Sequence, residues 1–124
     1  MKIEISNGEY LDRISILMIK SEKIKDKNKL KNIEHELETL LEHIPSSKLD
    51  LESDEFKELY KINKNLWDIE DKLREREKSK QFDEEFIDLA RKVYLLNDKR
   101  ALIKRIINIE SNSSIIEEKL YYEY

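Results

Sequence analysis

The chain has 124 residues, with 24 Lys and Arg against 28 Asp and Glu, for a formal charge of −4; 42% of residues are charged and 39% hydrophobic. One Gly, one Pro and no Cys exclude collagen-like and Gly/Ser low-complexity chains, disulfides, thiolate nucleophiles and zinc–thiolate sites. The same scarcity argues against a turn-rich all-β domain and rules out a multi-glycine phosphate loop, and no apolar run approaches the ~20 residues of a membrane span.

The expected elements follow in chain order. Lys2-Ile3-Glu4-Ile5 alternates and reads as a short extended segment. Ser6-Asn7-Gly8-Glu9 has the Ser-x-x-Glu form of a capping box, which predicts a first helix from Asn7 or Gly8 to about Ile24. Its apolar stripe of Tyr10, Leu11, Ile14, Leu17 and Met18 is widened by Ile16 and Ile19, as for contacts on two sides. Asp26 to Lys29 is a polar break. Leu30, Ile33, Leu37, Leu40, Leu41 and Ile44 then mark a second helix, which Pro45 should stop. A loop runs from Pro45 to about Ser53 or Asp54, either of which can cap the third helix.

The third helix is predicted over Asp54 to Lys78, with Leu59, Ile62, Leu66, Ile69 and Leu73 spaced like a coiled-coil seam. After the turn Gln81-Phe82-Asp83, Asp83 should cap a fourth helix reaching about Asn108, with Phe82 stapled onto Ile87. Ser111 to Ser113 breaks the chain. Ser114-Ile115-Ile116-Glu117 is a second capping-box pattern and predicts a short C-terminal helix. The expected architecture is a single all-α domain over residues 1–124. It is an antiparallel bundle of two helical hairpins, with the short C-terminal helix and the extended N-terminal segment. A tight turn between the third and fourth helices would bring Glu70 near Arg91, Trp67 near Tyr94 and Asn63 near Asn97 and Asp98.

Polar residues interrupt the apolar faces of these two helices. Asn63 and Glu70 lie on the face of Leu59, Leu66 and Leu73, while Asn97, Lys104 and Asn108 lie on the face of Ala90, Val93 and Ala101. Two explanations apply. Asn63–Asn97 and Glu70–Arg91 are structural polar pairs that fix register. Alternatively, Glu70, Asp71 and Arg74 face Asn97, Arg100 and Lys104 across a charged pocket for an anionic or zwitterionic small molecule. Trp67 belongs to the core or an interface, and Tyr121, Tyr122 and Tyr124 are candidates for docking on the bundle or on a second subunit.

Other chemistry finds little support. His35 and His43 do not complete a Glu-x-x-His di-iron spacing. Asp68/Asp71 and Glu85/Asp88 have a carboxylate spacing that chance supplies in a chain this acidic. Neither a catalytic residue, a metal nor a cofactor is implied, and an enzyme is not favoured. The net charge disfavours nucleic acid, although Lys20 to Lys31 carries six Lys. The primary expectation is a non-enzymatic, cytoplasmic helical interaction or assembly protein that forms a homo-oligomer. The alternative is a small enzyme or ligand-binding protein using the charged inter-helix pocket.

Three blocks carry a resemblance. They are Gly8-Glu9-Tyr10-Leu11-Asp12-Arg13-Ile14-Ser15-Ile16-Leu17, Asn65-Leu66-Trp67-Asp68-Ile69-Glu70-Asp71, and Leu89-Ala90-Arg91-Lys92-Val93-Tyr94 with Asn97-Asp98-Lys99-Arg100-Ala101, Lys104 and Asn108. With the closing Glu117-Glu118-Lys119-Leu120-Tyr121, they resemble a family of short uncharacterised proteins of bacteria and phages, a domain of unknown function. That resemblance implies no activity.

Overall fold

A computed structural model describes residues 1–120. It is all-helical: α1 (Asn7–Lys23), α2 (Lys27–Leu41), the single turn α3 (Ile44–Ser47), α4 (Asp54–Lys78) and α5 (Glu84–Glu110). No helix among the described residues is long and apolar enough to cross a membrane.

Short polar side chains set the helix starts. Ser6, Asp26, Ser53 and Asp83 each accept a hydrogen bond from the backbone N–H three residues on. The polar break at Asp26 is therefore itself a cap, and α2 starts at Lys27, ahead of Leu30. Only half of the first capping box forms. Ser6 caps Glu9, but the Glu9 carboxylate turns to Arg13 and Lys104. Pro45 does not end α2, which stops at Leu41; it opens the one-turn α3, where its missing N–H costs nothing. Phe82 packs edge-on against Phe86, with ring centroids 5.3 Å apart, and Ile87 stays exposed.

α1 occupies the centre, against α2, α4 and α5, and α4 also packs along α5. This explains the wide stripe of α1: Leu11, Ile14, Leu17 and Ile19 are all buried although they point around the helix. Leu11 and Ile14 join Phe56, Leu59 and Ile107 in the main apolar cluster. Each such side chain contributes on the order of 1.5–3 kcal/mol by burial. α2 buries only Ile33 and forms one margin of the molecule.

Both chain ends differ from expectation. Lys2–Ile5 forms no strand, since the described residues offer it no partner strand. Residues 114–120 are not helical. The Glu117 side chain that would complete the second capping box is bonded by Ser6 instead, and Glu118 by Arg105. Tertiary contacts thus take the groups that a local helix would need.

Candidate functional site: a charged cleft beside α5

α1 carries Gly8, Glu9, Asp12 and Ser15 on one side, and α5 carries Asn97, Arg100, Lys104 and Asn108 at spacings of three and four. The two rows meet. Gly8 N–H donates to Asn108 Oδ1 at 2.6 Å, Lys104 Nζ to Glu9 Oε2 at 2.5 Å, and Arg100 to both oxygens of Asp12. Gly8 permits this approach. A Cβ there would lie 2.5 Å from the Lys104 carbonyl oxygen, a backbone atom that cannot swing aside.

Asp12 is 1% exposed. A carboxylate so removed from water requires close compensation. It accepts the Arg100 guanidinium side-on and the Asn63 amide at 2.8 Å, with Lys104 Nζ at 3.8 Å. The hydrogen bond from Arg100 to Asp12, reinforced by the charges of Asp12, Glu9 and Glu70, raises the Arg100 pKa against the cost of its burial. Asn63 also donates to Ser15 at 2.7 Å. No buried side-chain nitrogen or oxygen among the described residues lacks a partner.

Beyond this network lies a cleft of about 540 Å³. α5 forms one wall with Asn97, Arg100, Ala101, Leu102, Lys104, Arg105 and Asn108; Glu117, Glu118 and Lys119 form the other. The second wall exists because the chain reverses after α5. Asn112 adopts a left-handed φ of 54°, and Ser113 N–H bonds back to Asn108 O at 2.8 Å, closing a Schellman-type cap. The returning segment is then pinned. Ser111 and Ser113 bond Asn7, Ser6 bonds Glu117, Arg105 pairs with Glu118 at 2.6 Å, and Lys119 lies 3.9 Å from Asp98.

Of the residues expected at a pocket, Asn97, Arg100 and Lys104 line this cleft. Glu70, Asp71 and Arg74 are exposed and do not, although the charge of Glu70 reaches Arg100. Asn63 directs its amide to Asp12 and Ser15 on α1 and not to Asn97, whose oxygen lies 3.4 Å from Arg100 Nη1. Glu70 and Arg91 are both exposed, and no ion pair joins them among the described residues; Arg91 associates with Tyr94 and Asp88 on its own helix. Trp67 is half-buried, and Tyr121, Tyr122 and Tyr124 lie outside the described residues. The sequence reading missed Glu9, Asp12, Arg105 and Glu117 to Lys119. The available signal was the only Gly of the chain, four residues before an acid flanked by Leu11 and Ile14.

α5 also presents a second apolar row outward. Leu95, Leu102, Ile106 and Ile109 recur at seven, four and three residues, and Leu102 and Ile109 are 59% and 54% exposed.

A family model described as a family of unknown function (DUF6165) matches residues 1–123. No curated protein and no solved structure matches the chain. The chain belongs to that family.

Proposed function

Starting from membership of a family with no assigned function, we propose that this protein binds a small molecule carrying an oxyanion, in the cleft between α5 and the returning C-terminal segment. One observation carries the reading. Arg100, Lys104, Arg105 and Lys119 surround a space of about 540 Å³, and Asp12 and Glu9 hold the first two from behind. Such backing fixes the side chains before a ligand arrives, which lowers the ordering cost of binding. Arg100 uses Nε and Nη2 on Asp12 and one Nη1 hydrogen on Asn97, which leaves one N–H on each of Nη1 and Nη2 for an oxyanion. Ala101 and Leu102 add apolar lining.

Thermal-shift titration tests this with inorganic phosphate, glutarate and ethyl phosphate as probes. At least one should raise the melting temperature saturably, by the mass-action stabilisation expected of a ligand that binds only the folded state. Arg105→Gln should weaken that effect about tenfold in concentration, the loss of one charge-assisted hydrogen bond. A flat response to all three counts against the reading.

A second reading is favoured by the outward row on α5. The row suits a homo-oligomer in which two copies of α5 cross about a two-fold axis near Leu102. An antiparallel crossing there would place Asp98 of one copy opposite Arg105 of the other. The antiparallel two-hairpin chain path belongs to the same proposal. It is supported by the packing of α1 on α2 and of α4 on α5, each pair joined by a short connection or loop, and by the Gly8–Asn108, Glu9–Lys104 and Asp12–Arg100 pairs, which set α1 antiparallel to α5.

A further inference from the structure

We propose that the molecule bound in this cleft is zwitterionic, bearing a protonated amine as well as an oxyanion. The inference rests on the ligand-binding reading above and specifies the chemistry of its ligand. The two walls of the cleft differ in sign. The α5 wall presents Arg100, Lys104 and Arg105; the returning segment presents Glu117 and Glu118 against one cation, Lys119, which lies 3.9 Å from Asp98. Each acid uses one oxygen on a neighbour, Glu117 on Ser6 and Glu118 on Arg105. The second oxygen of each carboxylate can take a further donor.

A ligand that is only anionic meets the α5 wall well and the other wall badly. Glu9 and Asp12 behind Lys104 and Arg100 already offset much of the positive charge. Added negative charge facing Glu117 and Glu118 is repelled by them, and a water-lined cleft only partly screens that repulsion. A ligand ammonium on that side converts the repulsion into attraction and supplies donors to the carboxylates. Ala101 and Leu102, the apolar residues of the lining, suit a short carbon spacer joining the two ends. The class indicated is therefore an amino acid or an aminoalkyl phosphate.

Three matched pairs of probes test this: L-glutamate against glutarate, 4-aminobutyrate against butyrate, and phosphoethanolamine against ethyl phosphate. Members of a pair differ in the amine alone, and the pairs separate carboxylate from phosphate as the source of the oxyanion. Affinities are measured by calorimetry on the full chain. At least one amine-bearing member should bind about tenfold more tightly than its partner. The gap should fall below about threefold in Glu118→Gln, which keeps an oxygen for Arg105 but loses the charge. A second variant, Glu117→Gln, is measured in parallel in case Glu118→Gln fails to fold. If the partner without the amine binds as well or better in every pair that binds, the inference is overturned and the oxyanion reading stands. If none of the six binds saturably up to about 10 mM, both fall.

Discussion

Asp12 sets the chemistry at the scale of single residues, since Arg100, Asn63 and Lys104 all converge on it. Asp12→Ala leaves a half-buried guanidinium with Asn97 alone and a buried amide with Ser15 alone as acceptor. It should cost about 3–5 kcal/mol, read by urea denaturation as a lower midpoint at unchanged slope. Gly8→Ala sets two effects against each other. Helix propensity favours Ala by about 1 kcal/mol. The new Cβ, 2.5 Å from the Lys104 carbonyl oxygen, forces α1 off α5 at about 1–3 kcal/mol, so the net change should be destabilising. An increase in melting temperature would contradict the close approach. Tyr60 gives a prediction in pH. Its phenol donates to Glu22, and this bond first, then burial, pushes its pKa up to about 12 from an ordinary 10.0. The phenol's part of that contact is fully present below pH 10.0 and lost as pH rises through about 12. The same bond lowers the Glu22 pKa, so the carboxylate's part is present above its ordinary range and lost as pH falls through the lowered value. Ultraviolet titration should show Tyr60 ionising late, alongside Tyr10, which burial also raises, and Glu22→Gln should bring Tyr60 alone back toward 10.0.

At the scale of elements, α5 serves two surfaces with one periodicity. Leu89 and Ile107 are buried, while Leu95, Leu102, Ile106 and Ile109 face outward. If copies associate through that outer row, wild-type protein at micromolar concentration should scatter light as an oligomer, and Leu102→Glu with Ile106→Glu should give a monomer. A wild-type monomer would count against that reading. The long helices were legible in sequence because short polar caps and regular apolar spacing agree at Ser53–Lys78 and at Asp83–Glu110. Ser114 to Glu117 shows where local pattern stops being informative. It has the same Ser-x-x-Glu form as Ser6 to Glu9, yet Glu117 is held by Ser6, 111 residues away. A capping box is worth about 1 kcal/mol, little enough for competing tertiary bonds to override.

At the scale of the whole molecule, the abundant charge separates into two populations. Most of it coats the outer helix faces, as for the exposed Glu34, Glu36, Lys61 and Lys72. A minority runs inward from Glu118 and Arg105 through Lys104, Glu9 and Arg100 to Asp12 and Asn63. Asn97, Arg100 and Lys104 could be singled out beforehand because they interrupt an apolar face. Asp12 carried only the faint mark of Gly8 four residues before it, and Glu117 carried none, because their partners stand 88 and 111 residues away and only the folded chain brings them together. The proposed ligand site lies where that inward run meets solvent. Amide and arginine Nε chemical shifts, followed by NMR during titration with the tightest-binding of the six probes, test the placement most directly. Saturable changes are expected, confined to Asn97–Asn108 and Glu117–Lys119, including Arg100 and Arg105 Nε. Changes that never saturate, or that fall on α2 and leave the cleft untouched, would contradict it.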